Sequence, residues 1–456
     1  MSEIDRLRNR MDDITIDMVK MLKMRTDVAK DLGQLKQSIG KGIVDEDKED
    51  NLRQKVMAIS GSLGLEETVT SKFLNFLLNE SVRVQYRDRS SHLSIFRKAK
   101  SLEESGKNMI HMEVGEPDFR PPDAASNALG QACEKGFFKY GQVTGMPSFR
   151  EALAKHTSGK FNSSVMPENI LVSPGGRFSV FSAITMLLNP GDEMIIIEPA
   201  WPAYADCALH AGIKARLVHT TIEDRWEPSC DKIQSMINAN TKMIVLNYPN
   251  NPTGKILSKQ LQDEIMGIAR DNDLYVLSDE IYSDYAYVDW RSVLSYNYDK
   301  SIVVQSFSKS HAMTGFRIGY SISSGEITDT MSKMGSLCLT SVSEPIQYAA
   351  MMALGADTAD HSDTIKNRLK SLVSKAKDME LDFVDPDGAM YLYARSAKHA
   401  FDGTKMANNL LDEGLAIAPG AGFGDYEDFI RISACQEENI LMQGMHILGN
   451  KLRNMK

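Results

Sequence analysis

Lys309 stands in SFSKSHAMTGFRIGY, residues 306–320, and its neighbours decide what it can do. A β-type run, SIVVQSF, leads into Ser306, Ser308 and Lys309, and Arg317 follows eight residues after the lysine. Hydroxyls and a guanidinium beside one amine suit a phosphate-bearing aldehyde cofactor. A lone lysine after a strand is ordinarily a surface charge. Here the surrounding string makes it specific.

Three further strings carry chemistry. LYVLSDEIYSDY places Asp279 at the end of a buried strand, where a carboxylate is expensive unless paired, and a protonated pyridine nitrogen is such a partner. Tyr282, three residues on, is within reach of a ring oxygen on the same cofactor. NYPNNPTG sets Asn251 before a turn, and taken alone it reads as a polar turn after a strand. In SPGGR, residues 173–177, a glycine pair opens a helix whose N–H groups suit a phosphate, a weak signal by itself.

Together these strings resemble the class I aminotransferases of pyridoxal-phosphate fold type I, over a match from about residue 93 to the C-terminus. The resemblance implies that Lys309 holds pyridoxal 5'-phosphate as a Schiff base and later acts as general base, and that Asp279 keeps the ring nitrogen protonated. It implies that Asn251 and Tyr282 bond the ring oxygen, and that Ser306, Ser308, Arg317 and the backbone around Gly176 and Arg177 bind phosphate. Trp201, in EPAWPAY, resembles the ring that stacks on the cofactor, and Tyr140, in KYGQVTG, the residue that reaches a neighbouring subunit's phosphate. Arg431, in FIRISAC, takes the place of the clamp on the substrate α-carboxylate, with Gly115 of VGEPDF beside it.

The elements that must position these residues are legible as pattern. After the first proline, Pro117, β-rich runs (EMIIIEP, KMIVLNYP, LYVLSDEIY, SIVVQSFS) alternate with helical ones, which predicts an α/β domain on a mainly parallel sheet. The first 90 residues contain no proline and recur at helical spacing. The division expected is a helical domain over 1–89 and an aminotransferase domain over 90–456, with large and small parts and a cofactor-binding core at about 130–340, joined near YRDRSSHLS, residues 86–94.

In the helical part, steps of three and four pass through Ile4, Leu7, Met11, Ile14, Met18, Met21, Arg25, Val28, Leu32, Leu35 and Ile39, apolar at every position but Arg25. A helix of that length spans roughly 50 Å and cannot bury its stripe within one small domain, so a partner chain is expected to cover it. Arg25 then falls in a buried seam, where a guanidinium needs an anion. A register-setting ion pair is one reading. The other is a pocket for a small dianion, because Lys36 lies three turns on, a second segment offers Asp45, Lys48 and Glu49, and a third offers Ser81 and Gln85 at i, i+4.

This second pattern resembles the all-helical chorismate mutases over residues 4–87. The resemblance implies that chorismate rearranges to prephenate without a covalent intermediate, with Lys36 and Gln85 at the breaking ether oxygen, Arg8 and Arg25 on carboxylates and Glu49 on the ring hydroxyl. Asp45, Lys48 and Ser81 complete the pocket; Lys48 departs from a frequent arginine and loses its fork. Arg8 and Arg25 are 17 residues apart, roughly 25 Å along one helix, so Arg8 must serve a partner's pocket.

A mutase fused to an aminotransferase implies one route in aromatic amino-acid synthesis, with prephenate, phenylpyruvate or 4-hydroxyphenylpyruvate as amino acceptor. No residue decides between a second carboxylate and an aromatic ring in the side-chain pocket. The alternative is an aspartate-type or broad-specificity aminotransferase whose helical domain serves only dimerisation or regulation. A C–S lyase on the same fold remains a competitor. A DNA-binding regulator does not fit: the net charge is -9, and the first 90 residues balance basic against acidic side chains. The five cysteines are scattered without CxxC and read as reduced thiols; no metal site is expected. The charged start and the lack of a long apolar run predict a cytoplasmic protein that binds small molecules, without a membrane or nucleic-acid partner, as a homodimer or higher oligomer.

Overall fold

The computed structural model describes residues 2–38, 45–86, 92–398 and 401–454. The chain divides into two compact units, one of Met1–Arg89 with Gly212–Lys214, the other of Ser90–Ala211 with Ala215–Lys456. Most of the expected joint at 86–94, and Ile39 at the end of the apolar stripe, lie outside the described residues.

The first unit is built from α1 (Glu3–Ser38), α2 (Glu46–Ser62) and α3 (Glu67–Tyr86). α1 has the length its periodicity predicts, but the face it turns to α3 is not the apolar stripe. Ala29 and Gly33 are buried and Leu22, Arg25, Thr26 and Lys36 half-buried, whereas the apolar positions from Ile4 to Leu35 stand 44–70% exposed. Small side chains let α3 approach closely: a Cβ on Gly33 would lie 2.8 Å from Gln85 Cγ. Arg25, expected in the seam of the stripe, therefore faces α3 of its own chain. Asp45 differs as well. It is the N-cap of α2, its carboxylate accepting from Lys48 N at 3.2 Å, and not a residue of the helix face.

The second unit is an α/β fold with a large and a small part. Its seven-stranded sheet uses β1 (Ile170–Ser173), β2 (Glu193–Glu198), β3 (Lys214–His219), β4 (Thr241–Asn247), β5 (Tyr275–Asp279), β6 (Ser301–Ser306) and β7 (Gly319–Ile322), in the order β1-β7-β6-β5-β4-β2-β3. β2, β4, β5 and β6 are parallel neighbours, and β7 runs antiparallel to β1 and β6. Such strands are covered on both faces, which is why EMIIIE and SIVVQS are buried throughout. Ile195, Ile244, Leu246, Val276 and Val303 form the core around them. The small part has a four-stranded sheet of β8 (Leu381–Phe383), β9 (Tyr391–Ser396), β10 (Ala418–Pro419) and β11 (Phe429–Ser433), with its own core of Leu392, Ile430, Ile432, Ile365 and Leu372. Three helices matter for the site: α4 (Gly176–Leu187) after β1, α5 (Phe307–Ser310) after β6, and α6 (Ala359–Asp378).

Candidate active sites

In a parallel sheet, the carboxyl ends of the strands are where ligands bind. Register brings Asn247 beside Asp279, Asp279 beside Val304, and Ser306 beside Gly319, which also pairs with Ser173. One row of strand ends thus carries the residues around Asp279 and the serines that lead to Lys309.

Asp279 is buried. Its Oδ2 accepts from Tyr204 Oη at 2.6 Å, and Asn247 Nδ2 donates to its backbone oxygen at 3.0 Å. Burial pushes its carboxyl up to about 6, against the opposing pull of Tyr204, the Ile281 N–H and the Lys309 charge. Burial, then the Asp279 charge, also drives the Tyr204 phenol up, so Tyr204 stays a donor. A cation lodged here would bring the carboxylate back toward its ordinary range.

Lys309 follows β6 on α5 and donates to the Gly115 carbonyl. Burial pulls its ammonium down, toward the neutral amine. Gly115 has no room for a side chain: a Cβ there would collide with the Tyr391 phenol, whose Oη lies 2.6 Å from Tyr282 Oη. Arg431 is buried on β11. Its Nη1 donates to Asn251 Oδ1 at 2.7 Å and its Nη2 to the Glu113 carbonyl, while its Cζ lies 4.3 Å from the Tyr391 ring centre and 4.7 Å from that of Phe423. Its Nε is buried without a partner, a donor that an incoming anion would satisfy.

The third group surrounds the start of α4. Gly175, at φ +88, turns the chain so that the helix opens with free N–H groups at Gly176. Arg317 arches over it, with Nη1 held by the Thr314 carbonyl at 2.7 Å and Nη2 2.6 Å from where a Gly175 Cβ would be. Ser306 Oγ caps α5 through Ser308 N at 3.1 Å and lies 2.9 Å from Ser308 Oγ. A Cβ on Gly319 would sit 2.9 Å from Gly176 N, so only glycine lets β7 pass this close. Two hydroxyls, a guanidinium, helix N–H groups and a side-chain-free cradle are the donor set for a phosphate. Together with the buried carboxylate, the buried Lys309 amine and the orphaned Arg431 Nε, they fit pyridoxal phosphate and a carboxylate-bearing substrate. Arg177 Cζ lies 4.5 Å from the Trp201 ring centre, and Trp201 meets Tyr204 edge-on at 5.4 Å. Tyr140 is 89% exposed.

In the helical unit, Arg25 Nη1 donates to the Leu77 carbonyl and to Ser81 Oγ. Burial lowers its pKa, which the nearby Glu49 carboxylate opposes. Gln85 Nε2 donates to the Ser81 carbonyl at 3.1 Å, and Gln85 Oε1 is buried without a partner. The bond to the Ser81 carbonyl fixes the amide's orientation and leaves Oε1 as an acceptor for an incoming donor. Lys36 and Glu49 are half-buried, and Arg8 and Lys48 are exposed. Arg25, Ser81, Gln85 and Glu49 are thus brought together, and Arg8 lies far along α1.

Tyr204, Asn247, Tyr391 and Gly319 were not singled out by sequence reasoning. Tyr204 sits in the same EPAWPAY string as Trp201, and Asn247 opens NYPNNPTG, so both had a local signal. Gly319 lies in the string that carries Lys309, SFSKSHAMTGFRIGY, but its role comes from contacts made across the fold, as does that of Tyr391, which nothing local marks.

Two family models match the chain: aminotransferase class I and II over residues 107–442, and chorismate mutase type II over 7–86. The aspartate aminotransferase of Thermotoga maritima is 33% identical over 348 residues, 75% of this chain and 91% of that protein. The aspartate/prephenate aminotransferase of Thermus thermophilus is 32% identical over 368 residues, 79% and 95% respectively. Among solved structures, the Thermotoga maritima aspartate aminotransferase superposes with a TM-score of 0.77 at 30% identity, covering 82% of this chain and 99% of that one. The Thermus thermophilus aspartate aminotransferase with maleate gives 0.76 at 30%, covering 81% and 98%.

Proposed function

Because the chain belongs to the class I and II aminotransferases and carries a chorismate mutase type II domain ahead of that fold, we propose that it serves aromatic amino-acid synthesis at two steps: chorismate becomes prephenate in the helical domain, and the second domain aminates prephenate, phenylpyruvate or 4-hydroxyphenylpyruvate. The aminotransferase domain depends on pyridoxal phosphate. The domain bounds we assign are 1–89 and 90–456.

Pyridoxal phosphate, when bound, supplies an electron-withdrawing ring that accommodates the electron pair left at an amino acid's Cα. Lys309 Nζ, whose burial favours the unprotonated amine, would carry the Cα proton to the cofactor's aldehyde carbon in one half-reaction and back to the second substrate's Cα in the other. Asp279 holds the proton on the ring nitrogen, with Tyr204 fixing the carboxylate. Arg431 grips the α-carboxylate, with Gly115 beside it, and Asn251 and Tyr282 meet the ring oxygen. Ser306, Ser308, Arg317 and the N–H groups at Gly176 and Arg177 take the phosphate, Trp201 covers the ring, and Tyr140 reaches the phosphate site of a second copy.

In the helical domain, Arg25 and the Arg8 of a second copy hold the two carboxylates of chorismate. Lys36 and Gln85 face the ether oxygen, Glu49 the ring hydroxyl, and Asp45, Lys48 and Ser81 support them. The exposed stripe of α1 is covered by that second copy, so the assembly is at least a homodimer. No described helix is long and apolar enough to cross a membrane, and we assign the protein to the cytoplasm.

One observation carries the joint reading: the Arg25–Ser81 pairing between α1 and α3 and the Lys309–Asp279–Arg431 site occur on one chain. The name of the Thermus relative, aspartate/prephenate aminotransferase, supports the acceptor class. Assay of the purified protein with prephenate, phenylpyruvate, 4-hydroxyphenylpyruvate and oxaloacetate tests it; activity with oxaloacetate alone removes the aromatic assignment. The name of the Thermotoga relative favours the second reading, an aspartate-type enzyme whose helices only assemble it.

A further inference from the structure

The segment Glu113–Phe119 crosses the amino-transfer site without regular secondary structure. Site groups hold its first half: Arg431 donates to the Glu113 carbonyl, Lys309 to the Gly115 carbonyl, and Thr314 Oγ1 to the Glu116 carboxylate. Its second half is held from α6. Arg368 grips Asp118 with two bonds, Nη1–Oδ1 at 2.7 Å and Nη2–Oδ2 at 3.0 Å. The Phe119 ring stacks on His361 at 4.3 Å and 7°, with Arg368 Cζ 5.4 Å from its centre. His361 Nδ1 in turn lies 3.5 Å from the carbonyl of Ser310, the residue after Lys309.

We propose that Arg368 is a positioning residue for amino transfer, fastening Glu113–Phe119 through Asp118 and Phe119 so that the Glu113 carbonyl sets Arg431 for carboxylates. An irregular segment has no ladder of its own to hold it, so its place depends on its side-chain anchors. Arg368 is 8% exposed, and a buried guanidinium keeps its place only while paired, which makes the two-bond grip on Asp118 a rigid one. Releasing Asp118 frees the strap from α6. The Glu113 carbonyl then no longer fixes one arm of Arg431, and both the amino donor and the keto acid depend on the orientation of that guanidinium. The inference rests on the reading of Lys309 as the reacting amine and Arg431 as the carboxylate clamp.

The test uses cofactor-loaded enzyme carrying Arg368→Met, Asp118→Asn or both. The expected result is a KM raised about tenfold for both donor and acceptor, kcat held within about threefold, and faster amide hydrogen exchange confined to 113–119. The double variant is expected to be no worse than either single one, because both break the same contact. Unchanged KM, unchanged exchange in 113–119, or additive losses overturn the proposal. Should Arg368→Met not fold, Arg368→Lys keeps one charge and loses the fork; an intermediate KM supports the proposal and a wild-type KM overturns it. Lys309→Ala separates the two levels. If it retains turnover, the reading of the site fails. If it is inactive while Arg368→Met keeps its KM, only the strap fails.

Discussion

Replacing Asp279 by asparagine should stabilise the cofactor-free protein at neutral pH while weakening its hold on pyridoxal phosphate. Burial raises the Asp279 carboxyl from 3.8 to about 6. Between those values the folded protein keeps a proton that the unfolded chain has released, so stability is lost as pH rises through that window and the loss is complete above it. A shift of about two units corresponds to roughly 3 kcal/mol. Asparagine has a similar shape, still offers an oxygen to Tyr204 Oη, and carries no charge to bury. Asp279→Asn without cofactor should therefore match wild type near pH 4 and exceed it by up to about 3 kcal/mol above pH 7 in denaturant unfolding. With cofactor the gap should shrink to between about zero and 1.5 kcal/mol, because a charge-assisted bond worth about 1.5–3 kcal/mol is missing, which weakens binding roughly tenfold to hundredfold. A stability difference independent of pH, or a variant that binds pyridoxal phosphate as tightly as wild type, would refute the reasoning.

Two other substitutions follow from the geometry. Arg431→Lys keeps a charge but cannot hold Asn251 Oδ1, the Glu113 carbonyl and a carboxylate at once; steady-state kinetics should show KM for donor and acceptor raised about tenfold to hundredfold, consistent with one lost charge-assisted bond. Arg25→Ala removes the guanidinium bonded to Ser81 and Leu77 and should slow chorismate loss by at least about a hundredfold with the oligomer intact by light scattering; an unchanged rate would leave the helices an assembly role only.

Much of this was legible because the sheet is parallel and buried. Apolar runs ending in polar residues mark strand ends, and strand ends are where such folds bind ligands, so Asp279, Asn251, Ser306 and Lys309 could be placed before any coordinate was known. What one strand does to another was not legible. Gly319 is needed because β7 passes the start of α4, and Tyr391 because its phenol fills the space beside Gly115. In α1, a spacing of three and four recovers the helix but not its inward face. Arg25 lies at the border of the apolar stripe and turns to α3 because Ala29 and Gly33 allow close approach there, a steric fact about two helices that hydropathy does not encode. Asp45, placed by spacing on a helix face, caps α2 through Lys48 N, because a carboxylate three residues ahead of a helical N–H serves either purpose.

The central claim is that one chain makes prephenate and aminates it or a keto acid formed from it. The most direct measurement follows 15N from labelled glutamate or aspartate by NMR when chorismate is the only precursor supplied to the purified, cofactor-loaded protein. The account predicts that chorismate is consumed to prephenate, a conversion that Arg25→Ala abolishes, and that the label enters that prephenate or, when each is added, phenylpyruvate or 4-hydroxyphenylpyruvate. Chorismate left intact, or label that enters only oxaloacetate or 2-oxoglutarate when prephenate is present, would contradict it.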